Sequence, residues 1–193
     1  MRLSHRWCIP ALVALGLSLN ACAAAETYTI DPEHSSVGFT VRHFVGKVAG
    51  KFNTFTGAIT LDRDTPGQNT AEATIQTASI DTNSPKRDTH LRSADFLDAT
   101  RFPEIRFKSK SWHKTGEHAF DVVGELTMKD VTKEIVLKVS LRELHPGAGG
   151  AQLSAEATAR IDKKEFNVKD PPMLDATIGD DVNVVIKVEA RKN

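Results

Sequence analysis

The sequence is poor in cysteine and in recognisable catalytic motifs. It has two cysteines among 193 residues, Cys8 and Cys22, and both lie in or beside an N-terminal segment that does not resemble part of a fold. A domain formed by the rest of the chain would have no disulfide bond and no thiolate metal site. The histidines lack the H-x-H and H-E-x-x-H spacings of zinc hydrolases, and no G-x-S-x-G motif marks a nucleophile. We therefore expect no enzyme activity, no metal and no cofactor.

The chain also lacks an apolar run long enough to cross a bilayer as a helix, which takes roughly 20 residues. The run from Ala11 to Leu19 spans nine residues, with Arg2 and Arg6 before it and Ala23-Ala24-Ala25 after it. A basic start, a short apolar stretch and small residues at a cleavage site are the features of a secretory signal peptide. The sequence thus predicts a signal peptide over residues 1–25 and one exported domain over residues 26–193.

Two interpretations of Cys22 stay open. The stretch Leu19-Asn20-Ala21-Cys22 resembles a bacterial lipobox, in which the cysteine becomes a lipidated N-terminus. Otherwise the signal peptide is cut after Ala23 or Ala25, and Cys22 is removed with it. Membrane contact is expected only through such an acyl chain or through transient lipid exchange.

Neither sign of charge is in excess. The whole chain has 25 basic and 25 acidic residues, and removal of the signal peptide leaves 23 basic against 25 acidic. Such a weakly acidic domain has no global basic field for nucleic acid, so nucleic acid is not an expected partner. The oligomeric state stays open, with a homodimer as one alternative.

Most of the remaining sequence has apolar residues at spacing two, the period of a strand with one face inward. The run from Ile135 to Leu141 and the run from Val182 to Ala190 are the clearest cases. Turn signals such as Pro66-Gly67 and Lys129-Asp130 fall between the runs. We count about eight long strands joined by short turns, which predicts an all-β fold, an eight-stranded antiparallel barrel.

One segment, between Pro85 and Pro103, departs from this period. Its apolar residues have the spacing of a short helix, which we expect to cover a sheet face or one end of the barrel. The strand from Ala151 to Asp162 places Ala155, Ala157 and Ala159 on one inward face. These small residues leave room either for an apolar ligand or for bulky neighbours that fill a dry interior. From the residues alone, both alternatives stay open.

The chain's densest polar cluster falls on the predicted helix. Arg87 and Arg92 have forked donors for an anionic or carbonyl oxygen, and His90 adds a donor or acceptor. The alternative is structural, with Asp88 pairing an arginine and capping backbone donors where the chain enters the helix. Four of the nine phenylalanines fall on inward positions and are candidates to line a tunnel: Phe39, Phe52, Phe107 and Phe120.

Several motifs together resemble the YceI-like family. They are Asp31-Pro32-Glu33-His34-Ser35, the block from Arg87 to Phe96, the stretch Phe102-Pro103-Glu104-Ile105-Arg106-Phe107, and Gly124-Glu125-Leu126-Thr127-Met128. The chain departs from the family where Asp130 and Asn167 replace common glycines. Both residue types tolerate positive φ, so we expect the two turns to survive.

The resemblance implies a lipocalin-like barrel, periplasmic, that binds a long isoprenoid lipid such as a polyprenyl or quinone in an apolar pore. It favours the hollow interpretation of the alanine face. The implied ligand contacts are Phe39, Phe52, Phe107, Phe120, Leu126 and Ala157 along the chain, with Arg87, Asp88 and His90 at the mouth. Two alternatives remain: an enzyme on such a lipid, with His90 as base oriented by Asp88, and a dry barrel that serves protein interaction.

Overall fold

The computed structural model describes residues 25–147, 150–170 and 177–193, without the side chains of residues 143–147, 150 and 151. The predicted signal peptide with Cys22 therefore lies outside the described residues. Within them, the chain forms eleven strands and one α-helix, which lies between the sixth and seventh strands. The elements are β1 (Glu26–Ile30), β2 (Ser36–His43), β3 (Gly46–Phe52), β4 (Phe55–Leu61), β5 (Thr70–Gln76), β6 (Ile80–Asp81), α1 (Pro85–Arg92), β7 (Glu104–Lys114), β8 (Ala119–Met128), β9 (Val131–Gly147), β10 (Gly150–Asp162) and β11 (Ile178–Lys192).

The strands close into one antiparallel barrel. Neighbours follow the order β1, β4, β5, β7, β8, β9, β10, β11, and β11 returns to β1. The strands β2, β3 and β6 complete this ring. β1 pairs with the C-terminal end of β11, whereas β2 pairs with its earlier part, and β3 pairs with both β2 and β6. The consecutive strands β1 and β2 therefore act as one interrupted barrel strand, as do β3 and β4, and β5 and β6, and these three join five long strands. The predicted eight-stranded antiparallel barrel is confirmed.

The predicted period of two is visible in the burial of each long strand. In β8, every second residue from Phe120 to Leu126 is buried, whereas Asp121, Val123 and Glu125 between them are partly or fully exposed. In β10, Ala155 and Ala157 are buried and Glu156 between them is exposed. Alternation of this kind is expected where one face of an antiparallel sheet meets the core and the other meets water.

The core has two parts along the barrel axis. One end, the packed base, is filled by Tyr28, Leu61, Leu153 and Ala190, each no more than 7% exposed. The other end, the α1 end, is covered by Phe96, Leu97, Phe166 and Val168, which pack with the rims of β2, β3 and β8. The barrel interior between these two layers is where a ligand site would lie.

The helix α1 is shorter than its sequence pattern suggests. It begins at Pro85, a residue suited to the first helical turn, and ends at Arg92. The hydroxyl of Ser93 donates to the carbonyl of His90 at 2.7 Å, and the Leu97 amide donates to the Leu91 carbonyl at 3.1 Å. These bonds turn the chain back so that Leu91 and Leu97 pack on the barrel. In the described part of the chain, no helix is long and apolar enough to span a membrane.

Candidate ligand cavity in the barrel

The barrel encloses a cavity with a volume of about 380 Å³. Its walls are aliphatic and aromatic side chains from every long strand, and its size falls within the range of small-molecule sites. The polar side chains that border it come mostly from the α1 end: Arg42, His43, Arg87, His90, Lys163 and Asp170. The cavity is therefore apolar along its length and polar at one end, which we call the mouth.

Five of the predicted chain-contacting residues border this cavity: Phe39, Phe52, Phe107, Leu126 and Ala157. Phe120 is placed differently from the prediction, because it is buried against Trp112 with ring centroids 5.6 Å apart and does not border the cavity. Trp112 occupies the wall position instead, and its Nε1 has no hydrogen-bond partner among the described residues. Phe120 thus faces the core, but it does not line the cavity.

Small residues shape the cavity wall in two ways. Ala155 and Ala157 border the cavity, whereas Ala159 does not. Gly50 and Gly124 leave room for the rings of Phe39 and Phe107 to lie close to the sheet. A Cβ atom at Gly50 would approach Phe39 Cζ to 2.4 Å, and one at Gly124 would approach Phe107 Cζ to 2.5 Å. The missing side chain at each glycine leaves room for the neighbouring ring close to the strand, which keeps the interior open.

The charged side chains of α1 mainly form hydrogen bonds that stabilise the segment before the helix. Arg87 donates from Nε to Thr82 Oγ1 at 2.7 Å and from Nη2 to the Thr82 carbonyl at 2.8 Å. Asp88 is 6% exposed, does not border the cavity, and accepts from the Thr82 amide at 2.9 Å. Arg92 donates to the carbonyls of Ala78 and Ile80. Asp88 therefore binds Thr82 and has a structural position, while Arg87 both supports the turn and borders the mouth.

His90 borders the mouth but is not oriented by Asp88. Its Nε2 lies 3.3 Å from Asp95 Oδ2, and its ring meets Phe96 edge-on with centroids 4.9 Å apart. The Asp88 carboxylate faces Thr82 instead. The acid–base pair that an enzyme interpretation requires is thus not formed by these two residues.

Sequence reasoning missed a buried ion pair at the mouth. Lys163 Nζ lies 2.8 Å from Asp170 Oδ2, and both side chains are almost fully buried. The ammonium also donates to the Gly179 carbonyl at 2.8 Å and to Asp180 Oδ1 at 3.2 Å. These contacts neutralise the charge and tie the end of β10 to the start of β11. Lys163 precedes another lysine, and this pattern is typical of a solvated turn.

A second polar cluster lies outside the barrel, at the turn between β1 and β2. Asp31, Glu33 and His34 place potential metal-ligand atoms within 4.8 Å of one another. However, Asp31 Oδ2 already accepts from Arg191 at 2.6 Å, and Asp31 Oδ1 accepts from the Glu33 amide at 3.0 Å. The hydrogen bond with His34, the amide and the Arg191 charge hold the pKa of Asp31 below its ordinary value. The cluster therefore stabilises the turn that leads from β1 into β2.

Comparison with known proteins shows which sequences and folds this chain is similar to. The sequence profile of the YceI-like domain matches residues 28–190. A UPF0312 protein of Photorhabdus laumondii is 39% identical over 163 residues, covering 82% of this chain and 84% of that protein. Protein YceI of Shigella flexneri is 39% identical over 151 residues, covering 76% and 78%.

Solved structures share the fold. BcnA of Burkholderia cenocepacia superposes with a TM-score of 0.77 at 21% identity, covering 83% of this chain and 98% of that one. The YceI protein of Campylobacter jejuni gives a TM-score of 0.67 at 26% identity, covering 77% and 86%. A polyisoprenoid binding domain from Saccharophagus degradans gives a TM-score of 0.67 at 14% identity, covering 86% and 98%.

Proposed function

Because the chain belongs to the YceI-like domain family, we propose that it carries or sequesters one long isoprenoid-type lipid, a polyprenyl or a quinone, inside the barrel. The observation that carries this proposal is the apolar cavity of about 380 Å³, whose one end, the mouth, is bordered by polar side chains. The shared fold of the polyisoprenoid binding domain of S. degradans supports the same lipid class.

The physical basis is burial of the lipid's hydrocarbon chain. Protein interiors are normally close-packed, and each Å³ of unfilled volume lowers the free energy of unfolding by roughly 24 cal/mol. A cavity of this size therefore represents several kcal/mol of packing that a guest would restore. An isoprenoid chain would gain about 0.8 kcal/mol for each buried methylene. Its methyl branches would pack against Phe39, Phe52, Phe107, Leu126 and Ala157.

The mouth would receive the polar end of the lipid. Arg87 and His90 border the cavity there, and Arg87 is fixed by its two bonds to Thr82. In this proposal Asp88 acts indirectly, because it holds the Thr82 turn on which Arg87 rests. No bond of the lipid is made or broken, and the protein acts as a binding protein.

We extend the proposal to export, which is supported by the signal-peptide pattern of residues 1–25. The lipid would then be carried in the periplasm. An intact-mass measurement of the protein from its host distinguishes an acylated N-terminal Cys22 from a cut after Ala23 or Ala25. A full-length mass in the cytoplasmic fraction would contradict export.

Mass spectrometry of lipid extracted from the purified, denatured protein tests the lipid proposal. Two adjacent residues on β9 provide matched variants, because Ile135 borders the cavity and Val136 is 45% exposed on the outer wall. We expect an isoprenoid lipid in the wild type, a clear loss in Ile135→Asn, and full retention in Val136→Asn. A wild type without apolar ligand, whose Trp112 fluorescence does not respond to added polyprenols or quinones, would contradict the proposal.

A further inference from the structure

The hairpin between β2 and β3 exposes two large apolar side chains at its tip. Phe44 is 57% exposed and Val45 is fully exposed. They are adjacent in sequence and form a single apolar projection, which we call the hairpin tip. The other large apolar side chains that are exposed in the described residues, Val136 and Val185, lie apart on the outer wall. Exposed apolar groups that cluster indicate an interaction surface.

The backbone of the hairpin tip gives no local reason for these residues. Phe44 has φ of 52°, a left-handed conformation that is uncommon for a bulky side chain and favours glycine or asparagine. The turn is nevertheless held firmly, because the Phe44 amide donates to the Thr177 carbonyl at 2.8 Å. The structure therefore keeps a strained aromatic residue in water where a glycine would form the turn more easily.

The charges that the β2–β3 hairpin itself carries are of one sign, and Asp180 and Asp181 on the adjoining strand β11 are paired with Lys163 and Arg160. From Ser36 to Leu61 the sequence contains Arg42, Lys47 and Lys51 and no aspartate or glutamate, although the exported domain as a whole is weakly acidic. Lys51 faces Asp81 across the β3–β6 pair. Arg42 and Lys47 are exposed and pair directly across the hairpin, one residue from its turn.

The hairpin tip also adjoins the mouth of the cavity. Arg42, His43 and Val48 border the cavity, and the two residues of the tip connect their strands. A surface that received the tip would therefore lie beside the mouth, the polar end of the cavity.

We propose that the hairpin tip docks the protein on a bilayer surface that contains anionic lipids. Phe44 and Val45 insert among the acyl chains and headgroups, while Arg42 and Lys47 lie against lipid phosphates. An aromatic residue flanked by basic residues suits this interface. The inference rests on the proposed function, since docking would bring the mouth to the membrane from which the lipid is taken or to which it is returned.

Vesicle flotation tests this docking. The probes are vesicles of phosphatidylglycerol and phosphatidylethanolamine in equal parts, and vesicles of phosphatidylcholine. The protein carries Cys22→Ser, so that no acyl chain attaches at that position. We expect binding to the anionic vesicles that weakens with salt, and much weaker binding to phosphatidylcholine. In the variant Phe44→Trp, vesicles with brominated acyl chains should quench the fluorescence of the added tryptophan.

Two substitutions measure separately what apolar insertion and positive charge contribute to vesicle binding. Phe44→Ser should weaken vesicle binding about tenfold, from the lost apolar burial, and Lys47→Gln about fivefold, from one lost cation near the surface. The controls Val136→Ser and Lys138→Gln replace an exposed apolar residue and a lysine on the outer wall of β9 and should bind as the wild type does.

Lipid content of each variant is measured in parallel. Full lipid content in a protein that does not bind anionic vesicles would overturn docking and leave the proposed function standing. Equal binding by the wild type and Phe44→Ser would also overturn it. So would a hairpin tip that becomes protected only when a purified partner protein is added and not with vesicles.

Discussion

The replacement of Ala157 by leucine tests the cavity directly. Ala157 borders the cavity, and its partners on the neighbouring strands, Val139 and Ile186, border it too. In a close-packed core, adding three carbons to an alanine costs about 1–3 kcal/mol through overpacking. In the cavity the same carbons find room. At roughly 0.8 kcal/mol for each carbon buried, and with contacts on one side only, we expect a gain of about 1 kcal/mol in the lipid-free protein.

A matched control is available in the packed base. Ala190 is 1% exposed, pairs with Leu153, which is fully buried, and does not border the cavity. Ala190→Leu should therefore lose about 1–3 kcal/mol of unfolding free energy. The two variants introduce the same side chain into the same barrel, so the difference in sign reports the local space.

Urea unfolding of lipid-stripped protein, followed by circular dichroism, gives both free energies. Lipid recovered from unstripped protein gives the occupancy, which we expect to fall in Ala157→Leu because the leucine takes up part of the site. Our argument would be refuted if Ala157→Leu lost as much stability as Ala190→Leu. It would also be refuted if Ala157→Leu kept its full complement of lipid.

Two further predictions concern other parts of the barrel. Gly50→Ala should push the Phe39 ring into the cavity, because the new Cβ would lie 2.4 Å from Phe39 Cζ; extraction should yield less lipid, and unchanged lipid would contradict the role given to this glycine. Hydrogen bonds from Lys192, Tyr28 and Arg63 lower the pKa of Glu26 from 4.5 to about 2. The stability that the ionised Glu26 contributes is present above pH 4.5 and is lost as the pH falls toward 2. Glu26→Gln should therefore reduce the difference in unfolding free energy between pH 7 and pH 3 by about 1 kcal/mol, after allowance for solvent screening. Equal acid sensitivity of the variant and the wild type in urea unfolding would contradict this.

The strands and their inward faces were predictable because the alternation of apolar residues follows directly from strand geometry. Alternation does not indicate at which height along the barrel axis a residue lies, or which side chains pack against it. Phe120 was therefore assigned to the tunnel, although it packs against Trp112 and does not border the cavity. The roles of Gly50 and Gly124 depend on the register between strands, which the sequence does not contain.

The polar residues were harder to predict because their partners are backbone atoms. Arg87 bonds to the Thr82 carbonyl and Arg92 to the carbonyls of Ala78 and Ile80, and such acceptors have no sequence signature. Turns show the same limit. Asn167 has the expected positive φ of 58°, but between β8 and β9 it is Lys129, with φ of 54°, and not Asp130.

Lys129 has a second use that explains its place in this turn. Its ammonium donates to the carbonyls of Phe96 and Asn167 at 3.0 Å each. It thereby links the chain after α1 to the turn that follows β10. A long cation at this position binds two separate segments of the α1 end, which an aspartate or a glycine could not do.

The closing strand β11 pairs with β10, β1 and β2. Its partner residues in β1 lie 160 to 164 positions away along the chain, from Ile30 with Ala190 to Tyr28 with Lys192. Folding must therefore bring together segments that are distant along the chain, which is the situation in which barrels fold slowly. A nascent chain cannot complete the ring until its last fifteen-residue strand is available. Until then the apolar wall is an open sheet with unpaired edges, and a shortened chain that lacked β11 would expose that sheet to aggregation.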